Sequence, residues 1–367
     1  MANPLNALKK LSQYAGNRYD LVQAGGGNAS VKKQSEGMFI KASGVRLSEV
    51  NELSGFVKVN DEQIRQFINS TNFSQWNKRQ REHAANQCVM DARLQNDGKP
   101  SIETLLHAIL DTYTLHTHPI AINAVVAKQD WLAVCEQLYP DALFVTYATP
   151  GIDLALAMQE AMISYQQNKQ VFPQVVFLQN HGLIVSCDRP EKVIELTEHL
   201  IIQAEKVNKL DLSAYRMTSI IANRLTAETG VDTQVIYSSD THIQEFMHNF
   251  LHREKEQDLW PFCPDTLVYC GVKPLIIEFP QENISEVVLT EAIKNYKGRY
   301  QDTPKVIFFE NAAYTCGKTF KKAQEAEELL RFHCMLINKL GNSIERLTWE
   351  EVRYLSNWDA EKYRQGV

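Results

Sequence analysis

Three histidines and one glutamate carry the chemistry this sequence can offer: His116, His118, His181 and Glu103. On a β-strand, residues two apart share a face, so His116 and His118 can converge on one metal ion while Thr117 points away. A third ligand has to come from another segment. His181 follows the apolar run Val175-Val176-Phe177-Leu178 and precedes Gly182, where the backbone can turn close to such a site. Three neutral imidazoles with an open fourth position describe a catalytic zinc site rather than a structural one. His116-Thr117-His118 alone would suit core or surface histidines, because many imidazoles only satisfy hydrogen bonds. The third histidine, together with a glutamate at a helix start, turns the set toward a metal.

The elements that must position these residues follow from pattern. A helix is expected over 5–14, then the glycine cluster Gly25-Gly26-Gly27, then strand-like stretches around Val31 and over 38–41. Residues 61–99 are polar and helical in character and read as an insertion rather than core. Pro100-Ser101-Ile102-Glu103 reads as a helix start with Ser101 as the cap. Residues 112–118 are β-branched and aromatic, a strand stopped by Pro119. Asp188 and Glu191 form a capping-box pattern before a helix with Val193, Leu196, Leu200, Ala204 and Val207 on one face. The pattern weakens over 215–235. A first domain is therefore expected over 1–230, a small α/β domain over 231–345 and a helical tail over 346–367. In the second domain the expectation is strands at 266–269, 275–279 and 305–309, with helices at 286–296 and 319–340. No internal repeat stands out.

Composition excludes several classes. The chain has 367 residues, 44% hydrophobic and 22% charged, so a packed core is expected and global disorder is not. Against 44 acidic residues stand 38 basic ones, a net charge of −6, which is no footprint of a dedicated nucleic-acid binder. No apolar run approaches the ~18 residues of a membrane span. The start lacks the charged flank and apolar centre of a signal peptide. Seven cysteines, an odd number with no Cys-x-x-Cys, read as reduced thiols and lead to a cytoplasmic expectation.

The ordered motifs Gly27-Asn28-Ala29-Ser30, Lys41-Ala42-Ser43-Gly44, Pro100-Ser101-Ile102-Glu103, His116-Thr117-His118-Pro119 and Asn180-His181-Gly182 resemble the class II aldolase/adducin family over roughly residues 5–215. Fuculose- and rhamnulose-phosphate aldolases, ribulose-phosphate 4-epimerase and methylthioribulose-phosphate dehydratase belong to that family. The resemblance implies a three-layer αβα domain with a central, mainly antiparallel sheet, and a homotetramer with sites between subunits. It makes His116, His118 and His181 the ligands of a Zn2+ ion and Glu103 the catalytic acid/base. It matches Gly27, Asn28, Ser43, Gly44 and Ser101 to the pocket for the substrate phosphate. Backbone amides at a glycine turn and a helix N-terminus suit such a dianion. Ile102 departs from the pattern, since aldolases with two serines before the glutamate carry a hydroxyl there. More weakly, Pro264-Asp265, Gly317-Lys318 and Trp358-x-x-Glu361 resemble the region after the aldolase domain in long rhamnulose-phosphate aldolase/alcohol dehydrogenase proteins. With Val367 the last residue, no dehydrogenase domain is expected.

The implied reaction is reversible aldol cleavage of a ketose 1-phosphate into dihydroxyacetone phosphate and a short aldehyde. Zinc would stabilise the enediolate, and Glu103 would move protons with a pKa raised by a partly apolar site. Alternatives are an epimerase or dehydratase acting on a related sugar phosphate, and a non-catalytic adducin-like binding module. Glutamate rather than aspartate at position 103 favours aldolase or dehydratase within the resemblance. Read singly, Glu103 would only favour a helix dipole. His107, one turn later, reads as a core or supporting histidine.

Other signals are weaker. Ala312 to Thr319 nearly completes a phosphate-binding loop but lacks its first glycine, so a helix-opening turn explains it better. Gly25-Gly26-Gly27 is no dinucleotide fingerprint, since strand-like sequence follows. Cys263 and Cys270 read as core thiols. His248 and His252 fall at i and i+4 on a helix without a partner segment, and with His242 they read as a solvated face. The second domain is expected to shape the rim or the oligomer without chemistry of its own, and Trp349, Trp358 and Tyr363 suggest that the tail docks.

Overall fold

The structure is a computed structural model that describes residues 3–95, 98–253, 256–277 and 286–357. The chain divides into two compact units, Met1–Leu212 and Ser213–Val367. The helix Ser213–Thr229, expected within the first domain, thus groups with the second unit.

The first unit runs α1 (Pro4–Gly16), β1 (Asn28–Lys33), β2 (Gly37–Lys41), β3 (Phe56–Val59), α2 (Asp61–Ser70), α3 (Lys78–Asp91), α4 (Thr104–Ala108) and β4 (Tyr113–Thr117). It continues through α5 (Ile120–Val126), α6 (Trp131–Leu138), β5 (Leu143–Val145), α7 (Ile152–Lys169), β6 (Val175–Leu178), β7 (Gly182–Cys187) and α8 (Pro190–Asn208). The seven strands form one sheet in the order β3-β2-β1-β4-β7-β6-β5, antiparallel except for β5 with β6. Strand alternation splits the buried residues between two cores. Leu115, Phe177, Leu183 and Val185 pack with α1, α5, α6 and α8. Met38, Ile40, Val176 and Ile184 pack with α2, α3, α4 and α7. Helices on both faces of a mainly antiparallel sheet give the three-layer α/β architecture.

Two local expectations change here. Residues 61–99 are not a mere insertion, because Ile64, Ile68, Phe73, Ala85 and Val89 are buried in the second core. Their apolar positions are few and widely spaced in polar sequence, which hides the buried face. The capping box at Asp188 does not form: Arg189 is the N-cap, without a side-chain bond, and Pro190 opens α8 with its φ already set for a helix. Of the face expected on α8, Val193, Leu200 and Ala204 are buried and Val207 is exposed.

The second unit contains α9 (Ser213–Thr229), β8 (Gln234–Ser238), α10 (Thr241–Arg253), α11 (Pro264–Cys270), β9 (Leu275–Ile277), α12 (Glu286–Tyr300), β10 (Val306–Phe309), β11 (Ala312–Gly317), α13 (Phe320–Leu340) and α14 (Trp349–Asn357). The strand expected at 266–269 is the helix α11. Pro264 opens it, and Thr266 Oγ1 accepts the Cys263 amide, which outweighs the β-branched run. The turn expected at 312–319 is instead the strand β11, followed by the N-cap Thr319. Phe279, Trp358 and Tyr363 lie outside the described residues, as does the side chain of His252. Trp349 packs its ring 5.7 Å from that of Trp260.

A repeat invisible to sequence periodicity emerges in the topology. The second sheet, β8-β11-β10-β9, copies the order β4-β7-β6-β5 and the sense of every pairing, with β9 parallel to β10 as β5 is to β6. Helices intervene at the same points. The sequence trace of this repeat is short: Val175-Val176-Phe177-Leu178-Gln179-Asn180 against Val306-Ile307-Phe308-Phe309-Glu310-Asn311.

Candidate metal centre and active site

Strand β4 places the first two histidines at its end. His116 lies within β4 opposite Ile184, and His118 follows with its amide donating to the Leu21 carbonyl at 2.9 Å. His181 arrives from the β6–β7 turn. Asn180 takes a left-handed backbone there, φ +54°, and the His181 amide bonds the Leu178 carbonyl at 3.1 Å. Gly182 is required next to it: a Cβ would stand 2.3 Å from the Thr117 carbonyl oxygen. Glu103 sits at the start of α4, its amide donating to Ser101 Oγ at 3.3 Å. Ser101 thus supports the turn before the helix rather than capping it directly.

These four side chains meet. One ligand atom from each of Glu103, His116, His118 and His181 lies within 4.8 Å of all the others. His116 Nε2 is 3.1 Å from His118 Nε2 and 3.3 Å from His181 Nε2. Tetrahedral zinc with Zn–N bonds of ~2.0–2.1 Å sets its ligand nitrogens roughly 3.3 Å apart, so the donor set fits such an ion. Glu103 Oε1 lies 3.4 Å from His116 Nε2 and 3.7 Å from His181 Nε2, and Oε2 accepts a 3.4 Å bond from Asn28 Nδ2.

Burial, then the neighbouring imidazoles, lower the His118 pKa to about 3 and that of His181 to about 4, which keeps both neutral and able to donate a lone pair. The expectation of a raised Glu103 pKa is overturned. Burial pushes it up, but the imidazoles ahead of it, His116 first, hold the carboxyl well below the usual carboxylate range.

The expected anion loops gather around the same end of the sheet. Gly27, with φ +71°, leaves no room for a side chain: a Cβ would meet Val22 at 2.6 Å and the His116 carbonyl at 2.9 Å. Asn28 begins β1, paired with His116. Ser43 and Gly44 form an exposed turn held by the Ser43 amide on the Lys99 carbonyl, 2.8 Å, and by a bridge from Ala42 to Pro100. In the sequence Lys41 stands out only as part of a motif. Its buried ammonium bonds the Val45 carbonyl at 2.9 Å and the Gly25 carbonyl at 3.4 Å, tying the glycine loop to the Ser43 turn. The signal was a lysine closing an otherwise apolar strand. His107 is fully buried, with Nδ1 2.7 Å from Ser30 Oγ.

Among the described residues no helix is long and apolar enough to cross a membrane. A family model described as the Class II Aldolase and Adducin N-terminal domain matches residues 7–206. No curated protein matches the chain. Similar solved structures include the N-terminal class II aldolase domain of a conserved protein from Thermoplasma acidophilum, 21% identical, covering 56% of this chain and 94% of that one at a TM-score of 0.48. L-fuculose-1-phosphate aldolase from Thermus thermophilus is 16% identical over 57% of this chain and 95% of its own, TM-score 0.37. A sugar-phosphate aldolase from Thermotoga maritima is 14% identical over 56% and 94%, TM-score 0.37.

Proposed function

The chain belongs to the class II aldolase and adducin family, and from that premise we propose that it is a zinc-dependent aldolase cleaving a ketose 1-phosphate to dihydroxyacetone phosphate and a short aldehyde. The observation that carries this reading is the Glu103 carboxyl group set 3.4 Å from the nitrogen of a three-histidine cluster. His116, His118 and His181 would hold the ion. When bound, zinc supplies Lewis-acid polarisation of the substrate's carbonyl and hydroxyl oxygens.

Glu103 moves the proton on carbon. In the synthetic direction its carboxylate removes a proton from C3 of dihydroxyacetone phosphate. In cleavage the Glu103 carboxylate takes the C4 hydroxyl proton, the C3–C4 bond breaks, the aldehyde leaves, and Glu103 gives that proton to C3. Asn28 holds the second carboxylate oxygen and so fixes the direction of the first. Gly27, Asn28, Ser43, Gly44 and Ser101 bind the phosphate, with backbone amides supplying most donors because Ile102 brings no hydroxyl. A cytoplasmic homotetramer completes the reading, which sedimentation would check.

The test is proton NMR of products from a panel of ketulose 1-phosphates. Dihydroxyacetone phosphate and aldehyde in equal amounts support cleavage. An epimer or a dehydrated ketone would move the protein to the epimerase or dehydratase reading, and no turnover to a binding module.

A further inference from the structure

The second unit repeats the metal-bearing half of the first without its ligands. Aligning Leu178 opposite Gly182 with Phe309 opposite Ala312 sets Thr117 against Ser238, because these face Leu183 and Ala313. Tyr237 and Ser239 then replace His116 and His118, and the β10–β11 turn is one residue shorter, which removes the place of His181. The three histidine positions thus have no counterpart in the second sheet.

The other end has a cavity. Where β10 begins and β11 ends, a space of about 310 Å³ opens within the second unit. One wall is apolar or aromatic, from Val231, Val268 and Tyr269, and three lysines, Lys305, Lys318 and Lys322, are among the other lining residues. Asp302, the one carboxylate in the lining, pairs with Lys305 at 3.7 Å, which leaves the ammonium groups of Lys318 and Lys322 to meet an anion. Lys305 Nζ donates to the Val268 carbonyl at 2.8 Å, bracing the apolar wall. Lys322 Nζ lies 5.8 Å over the Tyr269 ring and 2.9 Å from Glu325, while Lys318 is exposed.

The near-miss phosphate motif sits here. Gly317-Lys318-Thr319 leads from β11 straight into the 21-residue helix α13, and Thr319 Oγ1 accepts the Lys322 amide at 3.2 Å. Gly317 presses against that first turn: a Cβ would stand 2.6 Å from the Ala323 nitrogen. The close approach brings the helix's positive end beside the lysines at the cavity. A helix N-terminus, flexible ammonium groups and an apolar wall together suit a phosphate dianion carrying an organic body.

We propose that this cavity binds a small organic phosphate monoester, with its phosphate on Lys318, Lys322 and the first turn of α13 and its body against Val231, Val268 and Tyr269. The proposal stands whether or not the aldolase reading holds.

Amide hydrogen exchange read by mass spectrometry on the full, zinc-loaded chain tests it. Adenosine monophosphate and glycerol 3-phosphate are added in separate arms, with adenosine as the control. Slowed exchange over 302–305 and 316–323 by a phosphate monoester, absent with adenosine, is the expected result, and the stronger arm identifies a planar or a polyol body. Lys318→Glu, alone and with Lys322→Glu, should weaken that protection by about tenfold or more at unchanged zinc content. Equal protection by adenosine, none by either phosphate, or protection indifferent to charge reversal would overturn the proposal.

Discussion

His116 donates its Nδ1–H to the carbonyl of Leu183, 3.1 Å away on the neighbouring strand β7. A carbonyl can only accept, so this bond fixes the tautomer and leaves Nε2 with its lone pair toward His118 and His181. The pairing of β4 with β7 thus does more than build the sheet: it aims the buried central imidazole of the cluster.

Gly182→Ala tests that dependence. The added Cβ would stand 2.3 Å from the Thr117 oxygen and 3.2 Å from the His118 ring, so β7 must shift away from β4. A stability loss of about 1–3 kcal/mol by urea unfolding is expected, with weaker zinc binding by competition with a chelator. Unchanged zinc affinity would mean that the strand register does not set the ligand geometry.

Glu103→Gln keeps the shape and removes the base. Turnover should fall by roughly 10²- to 10⁴-fold, with zinc content near that of the unaltered protein. Steady-state kinetics on the cleaved ketose phosphate measures it, and a variant that keeps its kcat would remove Glu103 from the proton transfers.

Much of this site was legible in the sequence, and the reason is geometric. His116-Thr117-His118 obeys the strand period, and His181 sits beside a glycine that the β6–β7 turn needs. What could not be read depends on tertiary neighbours. The low pKa of Glu103 comes from His116 and His118, brought in by β4, and from His107 on its own helix. The core role of Ile64, Ile68 and Val89 needs the sheet in place. The strand reading of 266–269 failed because Pro264 and the Cys263–Thr266 cap outweigh a short apolar run. The copied topology of the second sheet leaves only a brief trace in sequence, since pairing order constrains polarity far more than identity.

A buried ion pair braces the loop whose carbonyls receive the His118 and Ile120 amides. Arg18 donates through Nε and Nη2 to both oxygens of Asp20, at 3.1 and 2.5 Å, and pairs also with Glu198. Both Arg18 and Asp20 are buried, and the Asp20 and Leu21 carbonyls accept the amides of Ile120 and His118. Asp20→Ala strands the guanidinium and should cost about 3–5 kcal/mol in chemical denaturation. A cost under about 1 kcal/mol would show that Glu198 alone satisfies Arg18.

The fully buried His107 links stability to pH. Burial, with the nearby His116 second, lowers its pKa from 6.5 to about 3. The unfolded chain therefore takes up a proton that the folded one refuses. The stabilisation is complete above pH 6.5 and is lost as pH falls toward 3, at up to about 1.4 kcal/mol per pH unit. In metal-free protein, His107→Asn should flatten the fall in urea stability between about pH 6 and pH 4. An unchanged slope would mean that His107 is protonated in the folded state.

The central claim is that zinc on the three histidines enables carbon–carbon cleavage. Its most direct test follows one ketose 1-phosphate by NMR with chelator-treated protein, before and after zinc is restored to one ion per chain. The account predicts no cleavage before, and dihydroxyacetone phosphate with an equal amount of aldehyde after, while His181→Ala given the same zinc stays inactive. Cleavage by the metal-free protein, or restored activity in His181→Ala, would contradict it.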